Sequence, residues 1–490
     1  MLETNAKTLN LAISEDSRAK PSITLVPMVL LLLGAGSLSY YFWGRDLHRF
    51  TQWVAAYIGL FIGQLAFYFA ACYAVIRCPD RSSRTAKWAT LALVIFFAIA
   101  FRSVLVPQRA YLSSDVYRYV WDGHVQTEGI NPYRHIPEAG ELSALRDDKI
   151  FPNINREDKQ WLSPYPPVAQ LVFHGVSLIR PLSVTAFKAV MSSFDLITII
   201  LLMLVLARSG IDPARAIIFA WHPLLIFESA HSGHIEAVFI TFLVAALLAW
   251  TAKRHALTGV FLGLATMVKF YPVLLLPVFL VSKPVELPDR DQPVRRLALS
   301  GLLSGFINRR NLTIVAAFVA TCVAVYLPYL GAGRNVFGFL SRYIQEEGFV
   351  QQGGRYFLLE LFRRLFPVPT VVFLILAAAC ILVVALWWLT RSKRDAVDIS
   401  RGATAVIGLY LIITTPRYAW YYAWLVPFLC IFPRVAWLYL SCASALLYLA
   451  WYTPMVYPGI PLWLGCCIYV PAVALLVLEH WKRPGDSRLG

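Results

Sequence analysis

Two aspartates in a polar segment are the residues of this chain best suited to acid–base chemistry. Asp115 and Asp122 lie within residues 113–133, directly after a long apolar run, and their seven-residue spacing places both carboxylates on one face of a helix. Ionisable groups held against a bilayer are costly and therefore mark a functional site. A carboxylate in such a place can accept a hydroxyl proton as a general base. The alternative is an ordinary solvated loop.

Further polar residues beside later apolar runs complete the candidate site. They are Glu228, His231, His234 and Glu236, then Lys269, then Arg417. Carboxylates together with fixed cations suit a substrate that has an acceptor hydroxyl and a leaving phosphate, because Lys and Arg neutralise the charge that develops on the phosphate. Three alternatives stay open: a metal site or plain helix-end polarity for the Glu/His group, and a structural ion pair for Lys269. The Glu/His spacing matches neither the zinc-helix nor the calcium-loop pattern.

The aromatic run at residues 418–424 has two interpretations. Rings at this density are typical of the belt that membrane proteins place at the lipid–water interface. Alternatively, the rings stack on a sugar or line a groove for a lipid. Tyr421 and Trp424 are the binding candidates under this second interpretation.

Composition decides what kind of protein must position these residues. The chain has 490 residues, of which 58% are hydrophobic and only 15% charged, and its mean hydropathy is +0.61. These values are typical of an integral membrane protein. Apolar runs long enough to cross about 30 Å of hydrocarbon recur along the chain. The formal net charge of +16 comes from Lys and Arg in short loops, which favours cytoplasmic loops facing anionic lipid over a nucleic-acid partner.

The distribution of charge predicts the topology. The loop at 77–87 carries four Lys or Arg against Asp80 alone, so it is assigned to the cytoplasm together with both chain termini. Residues 107–163 hold nine acids against seven Lys or Arg, which fits an external loop. Roughly fourteen crossings are expected, from apolar runs near 24–43, 53–76, 88–106, 187–207, 214–230, 235–251, 258–281 (two half-helices), 311–330, 368–389, 402–415, 420–432, 435–451 and 460–480.

Two segments are not expected to be simple spans. Residues 165–180 would lie in the interface or dip into the membrane and return. Residues 258–281 start and end beside basic loops and would form two half-helices, broken at Lys269–Pro272 because proline removes a backbone donor and disfavours helix before it. Broken helices are tolerated at membrane depth only where they line an enclosed or watery cavity.

Several motifs in order resemble polyprenyl-phosphate-sugar-dependent glycosyltransferases of the GT-C superfamily, and the mannosyltransferase-like glycosyltransferase family 87 in particular. The resemblance covers roughly residues 100–430. It is carried by Ser-Ser-Asp-x-Tyr-x-Tyr-x-Trp-Asp-Gly with Gly-Ile-Asn-Pro-Tyr, Tyr165-Pro166-Pro167, His222-Pro223 to His234, Gly263-Leu264-Ala265 to Lys269-x-Tyr271-Pro272, and Tyr-x-x-Trp-Leu-x-Pro ending at Pro427.

The resemblance implies an all-α polytopic transmembrane helix bundle with a long external loop that carries short interfacial helices. It implies transfer of a hexose, with mannose the first candidate, to a hydroxyl group of a lipid, glycan or protein. The reaction would take place on the external face of the cell membrane, which would be a bacterial inner membrane. No cofactor is indicated. Asp115 takes the family's catalytic position. Asp122 lies seven residues after Asp115, so the two do not form the family's acid-x-acid motif. Asp122 is therefore a candidate for positioning the substrate. The substrate-binding candidates are Asp122, Tyr117, Tyr165, Glu228, His234, Lys269, Tyr271, Arg417, Tyr421 and Trp424.

On this interpretation the chain divides into five regions. They are an N-terminal cytoplasmic tail with three transmembrane helices (1–106), the external catalytic loop with a short interfacial or re-entrant helix (107–183), central transmembrane helices (184–330), a second external loop (331–367), and C-terminal transmembrane helices with a cytoplasmic tail (368–490).

Two other function classes are compatible with the composition. A secondary transporter would show an internal repeat that relates two halves, and no convincing repeat is present. A lipid-linked glycan flippase or polymerase would depend instead on arginines of the second external loop, namely Arg342, Arg355 and Arg363.

Overall fold

The computed structural model describes residues 25–45, 53–77, 84–281, 307–337, 356–389, 395–452 and 460–481. Within these ranges the regular elements are all helical. The main helices are α1 (Leu25–Gly44), α2 (Trp53–Arg77), α3 (Arg84–Leu105), α4 (Asp115–Thr127), α5 (Pro167–Ile179), α6 (Val184–Arg208), α7 (Glu236–Thr251), α8 (His255–Thr266), α9 (Arg309–Ala324), α10 (Phe357–Arg363), α11 (Thr370–Leu389), α12 (Ala396–Thr414), α13 (Val435–Ala443), α14 (Leu447–Tyr452) and α15 (Leu462–Trp481).

Short helical pieces fill the connections between the main helices. They are Gly140–Leu145, Phe151–Asn153, Arg156–Lys159, Pro213–Ala216, Ile217–Ala220, Pro223–Ile226, Phe227–His231, Tyr271–Leu275, Leu276–Phe279, Leu327–Phe337, Ala419–Leu425, Val426–Leu429 and Ser444–Leu446. The piece Phe227–His231 is a π-helix, a conformation that occurs mostly as single turns and often at functional sites.

Seven helices of the described residues are long and apolar enough to cross a membrane, namely α1, α2, α3, α6, α11, α12 and α15. An eighth span is possible if α9 and the piece Leu327–Phe337, which meet at 82°, act as one. The predicted all-α polytopic bundle is confirmed.

The described ranges contain fewer long helices than the roughly fourteen membrane crossings that the sequence predicts. The predicted runs 214–230 and 420–432 are instead divided into short helices. Pro213, Pro223 and Pro427 each stand in the first turn of one of these pieces, where proline is tolerated but stops the preceding helix. Their apolar side chains are almost entirely buried inside the bundle, so high hydropathy here reflects core packing.

The two segments expected to be irregular are irregular. Helix α5 has 13 residues, about 20 Å at 1.5 Å per residue, which is too short to cross the hydrocarbon core. Helix α8 ends at Thr266 and the next helical piece begins at Tyr271, so the chain leaves the helix at residues 267–270, which include Lys269. The short pieces Tyr271–Leu275 and Leu276–Phe279 follow in place of the expected second half-helix.

Close packing fixes the helix that begins with Asp115. Helix α4 lies against α5 and α6, and Gly123 makes the close approach to α5 possible. A Cβ at Gly123 would lie only 2.3 Å from the carbonyl oxygen of Phe173. Any larger side chain would therefore push the two helices apart.

A buried ion pair connects the neighbouring helices below this contact. The guanidinium group of Arg102 on α3 donates two bonds, of 3.1 and 2.9 Å, to Asp195 Oδ2 on α6. Ser229 of the π-helix donates to the same oxygen at 2.5 Å, and Arg102 also donates to the carbonyl of Ala220. Three elements around the site thus share one satisfied polar network.

Candidate active site

Asp115 begins helix α4 and is the partly exposed carboxylate of the site. Its side chain is 29% exposed, and its backbone N–H donates to Ser113 Oγ at 3.2 Å. Tyr119, one turn later, donates to Asp115 Oδ2 at 3.4 Å. A carboxylate in the first turn of a helix is also stabilised by the helix dipole, and the two hydrogen bonds orient the start of α4 and the side chain of Asp115.

A buried imidazole lies directly behind Asp115. The Nδ1 atom of His234 is 3.8 Å from Asp115 Oδ2 and 4.0 Å from Glu236 Oε2, while its Nε2 atom is 3.5 Å from Glu228 Oε2. The His234 ring stacks on Trp420 with centroids 3.9 Å apart. Three carboxylates from three elements thus surround one histidine.

The π-helix and the turn after it place Glu228 and His234 together. The backbone N–H of His234 donates to the carbonyl of Glu228 at 2.8 Å, and Gly233 between them has φ +73, a left-handed conformation that suits glycine. The Glu228 carboxylate is held from the opposite side by Tyr448, whose hydroxyl donates at 2.7 Å.

Lys269 forms an ion pair with Glu236 at the start of α7. Its ammonium group donates to Glu236 Oε1, and both side chains are almost entirely buried. The Nζ atom also lies 5.1 Å from the ring centroid of Tyr421. The structural ion pair considered for Lys269 is therefore present, and the lysine additionally reaches the aromatic run.

A small open cleft is lined in part by Tyr421. Its lining consists of Tyr356, Tyr410, residues 414–418 and Tyr421. Arg417 contributes the cleft's cation, with its guanidinium carbon 6.0 Å from the ring centroid of Tyr418. The cleft thus combines aromatic faces with a fixed positive charge.

The aromatic run forms the wall between the cleft and the buried acids. Trp420 stacks on Tyr418 with centroids 4.6 Å apart, and Tyr271 packs on Trp424 at 4.9 Å and on Tyr421 at 5.6 Å. Trp424 is completely buried. Burial at this position does not fit the interfacial-belt interpretation and favours an internal wall.

The contacts link the acids to the cations in one continuous series. Asp115 faces His234, His234 faces Glu236, Glu236 binds Lys269, and Lys269 lies over Tyr421, which lines the cleft beside Arg417. A base and two cations bordering one site can remove a proton from an acceptor and neutralise a leaving phosphate.

Two family models match this chain, each over slightly more than half of its length. Residues 29–283 match the alpha-(1->6)-mannopyranosyltransferase N-terminal domain, and residues 161–416 match glycosyltransferase family 87. The chain belongs to glycosyltransferase family 87. It belongs equally to the mannopyranosyltransferase family of the first model. The search of curated proteins found no match to this chain.

Family membership selects among the function classes left open by the sequence. A membrane glycosyltransferase of the mannosyltransferase-like type is supported over the transporter and the flippase or polymerase. Arg363, one of the three arginines of the flippase alternative, bonds to Glu360 and Thr370 beside it. Arg342 and Arg355 lie outside the described residues.

Asp122 occupies a different environment from that predicted. Its carboxylate is buried, accepts from Arg118 at 2.7 Å, from Ser163 at 2.5 Å and from Gln170 at 3.0 Å. Arg118 in turn donates to the carbonyl of Trp161. These bonds attach the returning loop to α4 and α5 and argue against the predicted role of Asp122 in positioning substrate. We interpret Asp122 as a residue that holds the loop.

The remaining candidates lie close to this glycosyltransferase site but at different depths. Tyr117 is buried in the core. Tyr165 packs edge-on against Tyr119 at 4.9 Å, and its backbone carbonyl accepts from Tyr133 at 2.6 Å. Because Tyr119 contacts Asp115, Tyr165 lies one residue away from that carboxylate.

Sequence reasoning missed two residues that complete the cluster. Tyr448 binds Glu228 although 220 residues separate them, and no local pattern could reveal such a pair. Trp420, which stacks on His234, lies inside the aromatic run that the sequence did single out. In the described part of the chain, no three His, Cys, Asp or Glu side chains converge closely enough to hold a metal ion.

The first segment predicted to be external contacts residues 329–331, where the second such segment begins. Asn131 donates to the carbonyl of Tyr329 at 3.0 Å, and Arg134 donates to the carbonyl of Gly331 at 2.8 Å. The hydroxyl of Tyr329 donates to Gln126 at 2.9 Å. The placement of both segments outside the cell stays a prediction.

Proposed function

We propose that this protein transfers a hexose, with mannose the first candidate, from a polyprenyl-phosphate sugar to a hydroxyl group of a lipid, glycan or protein at the external membrane face. The observation that carries the proposal is the series of contacts from Asp115 to Lys269 and on to the cleft of Arg417. It joins a candidate base and candidate phosphate ligands in one site.

Asp115 is the general base in this proposal because a substrate can reach it. Its side chain is 29% exposed, whereas those of Glu228 and Glu236 are 3% and 2% exposed. The acceptor oxygen attacks the anomeric carbon, the bond from that carbon to the phosphate oxygen breaks, and the acceptor proton moves to Asp115. The products are the glycosylated acceptor and the polyprenyl phosphate.

Lys269 and Arg417 are the proposed ligands of the donor phosphate. Both border Tyr421, so one phosphate in the cleft could approach both cations. A phosphate held away from water needs paired positive charge, and fixed cations act most strongly on the charge that develops as the bond breaks. The aromatic faces of Tyr410, Tyr418 and Tyr421 offer stacking surfaces for a sugar or a prenyl chain.

The printed name of the first family model supports mannose as the sugar to be tested first. A lipid-linked donor is supported by the apolar helices around the site, since such a donor is delivered within the bilayer. No metal ion or cofactor has a step in this scheme.

The decisive experiment incubates purified protein with a panel of radiolabelled polyprenyl-phosphate sugars and membrane extract. We expect one sugar, mannose first, to appear in a larger labelled product with wild type and not with Asp115→Asn. Nucleotide sugars form the control panel. Transfer from a nucleotide sugar, or equal transfer by Asp115→Asn, would contradict the proposal.

A further inference from the structure

The ion pair of Glu236 and Lys269 lies where the buried acids meet the open cleft. Lys269 donates to Glu236 Oε1 on one side and lies over the ring of Tyr421 on the other. Tyr421 lines the cleft together with Arg417. The charge of the lysine is therefore neutralised by the carboxylate of Glu236.

The second oxygen of Glu236 has no such partner. Within the described residues, Glu236 Oε2 and both ring nitrogens of His234 are buried without a hydrogen bond. Glu236 Oε2 nevertheless lies 4.0 Å from His234 Nδ1. Buried polar atoms normally have partners, and at 4.0 Å Glu236 Oε2 and His234 Nδ1 are close enough for a small side-chain movement to pair them.

We propose that Glu236 is the resident counter-ion of Lys269, that the phosphate of the lipid donor displaces it, and that His234 becomes the new partner of Glu236. This inference rests on the proposed function. It adds an exchange of ion-pair partners that precedes sugar transfer and involves no covalent step.

Charge and geometry both favour the exchange. An unpaired lysine at membrane depth is costly, so Lys269 needs Glu236 as its partner before an anion binds. A phosphate that arrives beside the same carboxylate is repelled by it. A shift of Glu236 towards His234 removes part of that repulsion and satisfies two orphaned groups together. The atom His234 Nδ1 also faces Asp115 at 3.8 Å. If His234 Nδ1 faces Glu236 instead, Asp115 is available to the acceptor hydroxyl. Donor binding would thus free the proposed base, Asp115, for its reaction.

Binding of undecaprenyl phosphate, a polyprenyl monophosphate, tests the exchange without requiring catalysis. Dissociation constants are measured in detergent for wild type, Glu236→Gln, Lys269→Met and the double variant. The glutamine keeps the shape of Glu236 and removes its charge. We expect Glu236→Gln to bind at least about tenfold tighter, since a unit charge a few ångströms away is worth more than the ~1.4 kcal/mol that corresponds to tenfold. The gain should vanish on the Lys269→Met background.

A matched control removes a carboxylate from a different ion pair. Glu360 pairs with Arg363 at 3.0 Å and is 42% exposed, so Glu360→Gln should leave the affinity unchanged. Equal or weaker binding by folded Glu236→Gln would overturn the inference, because a purely structural ion pair gives no gain in ligand affinity when broken.

A second variant decides the matter if Glu236→Gln does not fold. Glu236→Asp keeps the charge but withdraws it from Lys269 by one methylene, and we expect tighter binding than wild type by a smaller factor. Equal or weaker binding by Glu236→Asp overturns the exchange. Absence of binding by wild type itself would instead refute the lipid-phosphate donor, and with it the proposed function.

Discussion

At the scale of single residues, four acids differ in how deeply their side chains are buried. The side chain of Asp115 is partly exposed, whereas those of Glu228 and Glu236 are buried. The carboxylate of Asp122 accepts hydrogen bonds from Arg118 and Ser163 and so holds the loop to α4. The same side-chain chemistry thus serves as a candidate base, as buried counter-charge and as a structural link, and the difference is one of environment.

Substitution Asp115→Asn is expected to abolish sugar transfer while leaving the protein folded. The amide keeps the shape of the carboxylate but cannot accept the acceptor proton, and a general base contributes about 10²–10⁴-fold to rate. Single-turnover assays with purified protein provide the measurement. Asp148→Asn, at an exposed position of the same loop, is the matched control and should retain full activity. Near-wild-type turnover by Asp115→Asn would remove this residue from the chemistry.

Arg417→Ala is expected to raise the KM for the lipid donor and to leave the KM for the acceptor nearly unchanged. If Arg417 acts mainly on the leaving phosphate, kcat falls instead. Arg417→Lys should remain impaired, because an ammonium group cannot reproduce the bidentate guanidinium fork. Steady-state kinetics in both substrates separate these outcomes, with exposed Arg364→Ala as the control. Unchanged donor kinetics would place the phosphate elsewhere, and Arg355, outside the described residues, is the next candidate.

At the scale of elements, close backbone approach and interrupted helices build the site. Helix α4 can lie against α5 only because Gly123 lacks a side chain, and the π-helix Phe227–His231 with its following turn brings Glu228 beside His234. Short helices divided by prolines then leave polar backbone and side chains inside the bundle, where a long straight span would present only an apolar surface.

Gly123→Ala is expected to destabilise the protein, because the new methyl group would lie 2.3 Å from the carbonyl oxygen of Phe173. Overpacking of this kind costs about 1–3 kcal/mol. The free energy or midpoint of unfolding in detergent gives the measurement. Gly175→Ala on the facing helix α5 meets no atom within 4 Å and should be neutral or stabilising, since alanine is the better helix former. Equal stability of the two variants would show that α4 and α5 are not in close contact.

At the scale of the whole molecule, hydrogen bonds join residues 126–134 of the first segment predicted to be external to residues 329–331, where the second such segment begins. In the described part of the chain, seven helices are long and apolar enough to cross a membrane. The packed structure buries Glu228, Glu236 and His234 of the candidate site and leaves Asp115 partly exposed.

Residues 107–163 are expected to face the outside of the cell. A cysteine introduced at Ser143, which is exposed, should react with a membrane-impermeant maleimide in intact cells. A cysteine at Ser82, in the basic loop outside the described residues, should react only after lysis. Labelling is compared with the parent protein to subtract native cysteines. The reverse pattern would overturn the predicted topology and the assignment of the site to the external face.

The sequence by itself determined the class of the fold and the local breaks. Hydropathy required a helical bundle, the Lys269–Pro272 motif marked a place where the chain leaves the helix, and the pattern around Asp115 located a helix, α4, that begins with a carboxylate. These features depend on free-energy differences within a single segment, such as the transfer of apolar side chains and the loss of a backbone donor, so they can be read locally.

Only the tertiary structure decided which charges meet. Glu236 pairs with Lys269 across 33 residues and Glu228 with Tyr448 across 220, while Asp122 is withdrawn from the site by Arg118, Ser163 and Gln170. Hydropathy also predicted spans at 214–230 and 420–432, where packing instead produced short buried helices. A buried charge is stabilised by whichever partner the packed helices bring near it, and that choice depends on segments far apart in the chain.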